Sequence, residues 1–139
     1  MRPFHYAFPV HDLKKTHHFY TTVLGCSVGR YDERWMDFDF FGHQLSAHLS
    51  KAPIESLAEN PVDGDTIPVP HFGVILKADT WQSLIDRIEQ HSVAFLIAPK
   101  IRFQGKPGEQ GTFFINDPSG NTLEFKYFDD DELIFKTTL

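Results

Sequence analysis

A chain of 139 residues with 41% hydrophobic content is long enough to bury one core, read here as a single domain, 1–139, of two modules. A formal charge of −6 with no basic patch or stripe argues against nucleic acid as a partner. No run approaches the length needed to cross a bilayer, no charged-then-apolar leader opens the chain, and Cys26 alone makes no disulfide framework, so a cytoplasmic protein without membrane partners is expected.

The first module, about residues 3–50, opens on the apolar run Phe4-His5-Tyr6-Ala7-Phe8-Pro9-Val10. Asp12 is a good N-cap, and Leu13, Phe19, Tyr20, Val23 and Leu24 repeat at helical spacing until Gly25 supplies a stop. Three strand-like runs follow: Cys26 to Arg30, Trp35 to Phe41, and His43 to Leu49. Residues 51–69, polar and rich in proline and acids, read as a linker across the surface.

The second module, about residues 70–128, repeats the pattern. Pro70-His71-Phe72-Gly73-Val74-Ile75-Leu76 again places a histidine near the start of an apolar run. A helix beginning near Asp79 or Thr80 carries Trp81, Leu84, Ile85 and Ile88, the i, i+3, i+4, i+7 stripe of a buried face. Strands are expected at Ser92 to Ile97, Thr112 to Asn116 and Asn121 to Phe128, with a long loop from Lys100 to Gly111 that carries Arg102. Before the last strand, Asp117-Pro118-Ser119-Gly120-Asn121 has the proline, glycine and asparagine a tight turn needs. Alternation in that strand puts Leu123, Phe125 and Tyr127 on one face and Glu124 on the other, where a carboxylate needs a partner. Both halves thus read β-α-β-β-β. The tail, 129–139, begins with four acidic residues and then carries Leu133, Ile134 and Phe135.

The paired pattern, the histidine opening each half, Phe19-Tyr20 before Leu24-Gly25, and Asp117-Pro118-Ser119-Gly120-Asn121 before Glu124 resemble the vicinal oxygen chelate superfamily. That group includes glyoxalases, extradiol dioxygenases and bleomycin-resistance proteins, and the resemblance covers roughly residues 3 to 128. It implies an α+β fold of paired βαβββ modules whose curved mixed sheets form a cup, with helices outside and a metal on the concave side. On such a cup, strand alternation would turn His5, His71 and Glu124 inward. Two imidazoles and one carboxylate form a facial triad with open positions, suited to a divalent ion: Fe(II) first, with Mn or Zn as alternatives.

Ser46 occupies the position in the first module that matches Glu124, and a serine hydroxyl is a poor ligand, which favours three ligands over four. Phe114 stands ten residues before Glu124, where ring-cleaving relatives often carry a tyrosine, which weighs against catechol cleavage by the usual route. His48, beside Gln44 and Ser46 on the same strand face, is the candidate acid or base, and Arg102 is the candidate partner for an anionic substrate group. His11, His17 and His18 read as solvated. The expected activity is that of a metal-dependent enzyme, extradiol-dioxygenase-like, binding vicinal oxygens of a small molecule. The first alternative is a glyoxalase-like isomerase or lyase working through an enediolate stabilised by the metal. The second is a metal-free drug or metabolite binding protein. A homodimer and a closed single chain are both compatible with the repeat.

Overall fold

The computed structural model describes residues 1–137, so Thr138 and Leu139 of the expected tail lie outside the described residues. The chain divides into two units. Met1–Glu55 and Asp117–Asn121 form the first, and Ser56–Asn116 with the residues from Thr122 onward form the second.

In the first unit, β1 (His5–Val10) leads to α1 (Leu13–His18), a π-helical turn (Phe19–Val23), β2 (Ser27–Tyr31), β3 (Trp35–Phe40) and β4 (His43–Leu49). The Asp12 side chain caps α1 by accepting from the Lys15 amide at 2.9 Å, as the sequence suggests. The strands pair in the order β1-β4-β3-β2, with β1 parallel to β4 and the others antiparallel. Phe8, Val10, Tyr20, Phe38 and Phe40 are buried, and the Tyr20 ring stacks on Phe38 at 5.1 Å between centroids. His5 is exposed, so the alternation expected for β1 holds at His5, Phe8 and Val10.

The Asp117 turn belongs to this unit and fastens it. Asp117 Oδ1 accepts from the Ser119 and Asn121 amides, while Oδ2 accepts from the Tyr20 hydroxyl at 3.0 Å and from Asn121 Nδ2 at 2.9 Å. Asn121 Nδ2 also donates to Pro9 O, and Ser119 Oγ accepts from the His11 amide. Gly120 sits at φ +94°, a conformation open mainly to glycine. The motif that is most distinctive in the sequence is therefore a clip on the end of β1, and its polar groups are committed to structure. Burial raises the Asp117 carboxyl above its ordinary value even against these donors.

The second unit contains β5 (Ala58–Val62), β6 (Asp65–Val69), β7 (Phe72–Ile75), α2 (Ala78–Gln90), β8 (Ile97–Arg102), β9 (Gln110–Asn116) and β10 (Thr122–Phe128), then a 3-10 turn at Asp131–Leu133. Its main sheet runs β7-β10-β9-β8, the same order as in the first unit once β7 is matched to β1 and β10 to β4. The β7–β10 pair is parallel, with Glu124 opposite Gly73. Trp81, Leu84, Ile85 and Ile88 of α2 are buried as their spacing requires, and the Trp81 indole donates to Phe125 O at 2.9 Å.

Three expectations shift. Residues 51–69 hold the hairpin β5–β6 rather than a plain linker. The strand expected at Ser92 to Ile97 begins only at Ile97, because Ser92 takes a left-handed φ of 56° and the Val93 amide returns to Ile88 O to close α2. As a result Arg102 lies at the end of β8, in register with Gln110, and not in a loop.

Candidate metal and substrate site

Strand pairing in the second unit brings His71 and Glu124 together. Gly73 opposite Glu124 lets the two backbones approach, and His71, two residues earlier on the chain, places Nε2 3.2 Å from Glu124 Oε1. The other carboxylate oxygen accepts from Thr112 Oγ1 at 2.5 Å. His71 Nδ1 donates to Pro68 O at 2.7 Å, so its proton is committed to a carbonyl that can only accept. Nε2 then faces a carboxylate oxygen with a lone pair, an arrangement that calls for a cation between them, either a proton or a metal ion. The hydrogen bond to Glu124 raises the His71 pKa above its ordinary value. Burial pushes the Glu124 carboxyl up, but the bonds from His71 and Thr112 and the charge of Lys126 outweigh it, and the net direction is down.

His5, in the first unit, shows the same preparation. Its Nδ1 donates to Gln44 Oε1 at 2.8 Å, which leaves Nε2 bare on an exposed side chain. Anchoring one ring nitrogen on an oxygen fixes the tautomer and orientation in which the other can bind a metal. Gln44 in turn lies 3.4 Å from Asp37 Oδ2, and Ser46 Oγ donates to Asp37 Oδ1 at 2.6 Å. The Ser46 hydroxyl is thus occupied by a buried carboxylate, in keeping with its expected poverty as a ligand. Asp37 is buried and paired with Ser46 across β3 and β4.

The remaining candidates divide. His48 is exposed on β4, opposite Trp35 and Pro9. His11, His17 and His18 are exposed, as expected of solvated residues. Arg102 is 2% exposed and lines a cavity of about 210 Å³ in the second unit together with His71, Glu124, Lys126, Gln110 and Phe114. The Phe114 ring meets His71 edge-on at 5.1 Å and offers no hydrogen bond. The hairpin β5–β6, invisible in the sequence reading, contributes Val62 and Ile67 to the same wall. Among the described residues no group of three His, Cys, Asp or Glu side chains is gathered to hold a metal; the convergent pair is His71 and Glu124.

Comparison with known proteins agrees with the fold. The family model described as Glyoxalase/Bleomycin resistance protein/Dioxygenase superfamily matches residues 2–125. The chain belongs to this superfamily. A crystal structure of a glyoxalase/bleomycin resistance protein/dioxygenase from Alicyclobacillus acidocaldarius is similar at 35% identity and TM-score 0.82, with 96% of each chain covered. The virulence protein STM3117 of Salmonella typhimurium is 23% identical over 124 residues, covering 89% of this chain and 82% of that protein. The fosfomycin resistance protein FosX of Listeria monocytogenes shares the fold, with TM-score 0.70 at 15% identity and 93% of each chain covered. Members of this superfamily include dioxygenases, lyases and resistance proteins, and many use divalent metals. No helix among the described residues is long and apolar enough to cross a membrane.

Proposed function

We propose that this protein is a metal-dependent enzyme that binds a divalent ion through His71 Nε2 and the Glu124 carboxylate, with His5 as the third ligand that the family resemblance implies. The observation that carries the reading is the pinned imidazole: with His71 Nδ1 held by Pro68 O, Nε2 is turned to a carboxylate oxygen at 3.2 Å, where a proton or a metal ion would sit. Bound there, the ion would supply Lewis-acid binding of two vicinal oxygens of a small substrate. Around it, this chain's own residues set the conditions. Thr112 orients Glu124, Gln44 orients His5, and Phe114 shields one side of His71 from water. The hydrogen bond from Ser46 to Asp37 supports three protein ligands and open positions, the extradiol-dioxygenase type, with Fe(II) as the preferred ion.

Phe114 favours a second reading, isomerase or lyase chemistry without O₂, because its ring cannot donate the hydrogen bond a tyrosine gives there. In that reading His48, exposed beside Ser46 on β4, moves the proton.

The test is metal content of protein purified without oxygen or chelator, for wild type and His71→Ala, followed by oxygen uptake with catechols. Near-stoichiometric iron or manganese that is lost in the variant, with oxygen uptake, is the expected result. Metal without oxygen uptake moves the assignment to the isomerase or lyase. No metal, and none taken up on titration, refutes both and leaves a metal-free binding protein.

A further inference from the structure

The hairpin β5–β6 is placed by side chains. Its two strands pair with each other, and among the described residues neither joins a larger sheet. A lone two-stranded hairpin is marginal in water. Apolar burial does little to seat this one, since Ile67 is the buried residue of its two strands. One apolar side chain falls well short of the entropy lost in ordering both. Yet the hairpin walls the cavity that holds His71 and Glu124, through Val62 and Ile67.

Its anchors lie at its two ends. At the turn, Arg102 Nη1 donates to Val62 O at 2.8 Å and Nη2 lies 2.9 Å from Asp65 Oδ2. Val62 and Asp65 are the paired residues that flank the turn Asp63-Gly64. One planar guanidinium thus grips both arms of the hairpin, which the point charge of an ammonium cannot do. The Arg102 side chain is 3% exposed, against 35% for Lys100, whose Nζ reaches the same carboxylate oxygen at 2.8 Å. Water and salt screen the buried cation less, so Arg102 is the stronger clamp. The Phe103 amide, next along the chain, adds a bond to Asp63 Oδ2 at 3.3 Å.

At the other end, Pro68 O on β6 accepts the Nδ1 proton of His71 at 2.7 Å. Asp65 and Pro68 stand three residues apart on one extended strand, about 10 Å. Where the guanidinium holds the tip of that strand, it also sets the carbonyl further along it.

We propose that Arg102 is the positioning residue of the site: by seating β5–β6 it keeps Pro68 O on His71 Nδ1, and so fixes the nitrogen that His71 offers to a cation. That the cation is a metal rests on the metal reading above; the fixing of the ring does not.

The full chain, labelled with ¹⁵N at histidine, tests this through the His71 Nδ1–H resonance, assigned by its loss in His71→Ala. In wild type it is expected to be visible and slow to exchange with water. Arg102→Met keeps a long side chain but loses the grip. It is expected to broaden that resonance away, to speed amide exchange in β5 and β6, and to weaken metal binding about tenfold. Ile88→Val trims a buried side chain of α2 and lowers stability without touching the hairpin. It is expected to leave the resonance as in wild type, which separates positioning from general loosening. Asp65→Asn keeps the shape of the partner and removes its charge; faster Nδ1–H exchange in that variant carries the proposal if Arg102→Met fails to fold. Pro68 is only three residues before His71, so a local turn is the rival explanation of the bond. A resonance as protected in Arg102→Met or Asp65→Asn as in wild type supports that rival and overturns the proposal. So does a resonance absent from wild type, or a hairpin whose amides stay protected in the variants. Wild type that binds no metal, yet shows the resonance and its loss in Arg102→Met, refutes the metal reading and leaves the positioning in place.

Discussion

A methyl group built on Gly73 would fall on the backbone carbonyl oxygen of Glu124, the residue opposite it in the parallel pairing of β7 with β10. Nothing flexible stands there to swing aside, so Gly73→Ala must push β7 away from β10. Overpacking of this kind costs about 1–3 kcal/mol, more where backbone has to move. β7 is only four residues long, and opening it at its centre loosens the flanking Leu123–Phe72 and Phe125–Val74 pairs. Two ladder hydrogen bonds at about 1 kcal/mol each bring the expected loss to about 4 kcal/mol. That is a large part of the 5–15 kcal/mol that holds a typical domain, and lowers the melting temperature by roughly 12 °C. Urea unfolding followed by Trp81 fluorescence reads this unit, because that indole is buried against Phe125. The matched control is Gly111→Ala, whose new methyl meets the ring of Tyr127, a half-buried side chain that can rotate. A Gly73→Ala loss below about 0.5 kcal/mol, or one smaller than that of Gly111→Ala, would refute the close approach inferred for the two strands. The variant is also expected to lose metal, since the displaced strand follows on directly from His71.

Other perturbations follow from the same contacts. Thr112→Val removes the hydroxyl that orients Glu124 and is expected to weaken metal binding by about tenfold, measured by competition with a chelating dye, and to cost about 1–3 kcal/mol of stability because the buried carboxylate loses a donor. Tyr20→Phe deletes a buried donor to Asp117. Burial raises the Asp117 pKa in the folded state, so the stability this group contributes is present below the ordinary aspartate range and is lost as pH rises through the raised folded value. Since the Tyr20 bond favours the ionised carboxylate, the variant is expected to cost about 1.5–3 kcal/mol at pH 7 and less near pH 4, and an equal cost at both would contradict the assignment. Asp65 is held below its ordinary pKa first by the Lys100 hydrogen bond, so its contribution is present above the ordinary aspartate range and is lost as pH falls through the depressed folded value. Asp65→Asn is expected to raise amide exchange in β5 and β6 and to cost about 1–3 kcal/mol of stability, because the buried Arg102 loses its carboxylate partner.

Much of this protein could be read from local pattern. The stripe Trp81, Leu84, Ile85, Ile88 located α2, and Asp12 located α1, because helix period and capping are short-range properties. The repeat of His5 and His71 at the head of two like patterns was enough to anticipate the same β-α-β-β-β succession in both halves. What escaped depended on long-range contacts. The hairpin β5–β6 was hidden because its strands contain Pro61 and Pro68 and bury few apolar residues, so alternation gave no signal. β8 was misplaced because Val93, Phe95 and Leu96 look like strand, yet Val93 closes the helix and Phe95 packs on Phe113. Arg102 consequently read as a loop residue; its burial depends on Asp65 and Val62, some forty residues away. The pinning of His71 by Pro68 and of His5 by Gln44 was likewise illegible, since only folded geometry shows which nitrogen is spent.

The pairing of Asp37 with Ser46 bears on how the two halves differ. The second half carries a carboxylate, Glu124, at the place where the first half has Ser46. The first keeps a carboxylate one strand over, already bonded to the serine that fills the matching place. A glutamate placed at 46 would face Asp37 directly across the strand pair, and two buried carboxylates side by side cannot both stay ionised. The Asp37–Ser46 bond thus sets the two halves apart: a carboxylate at 46 is disfavoured unless Asp37 changes with it.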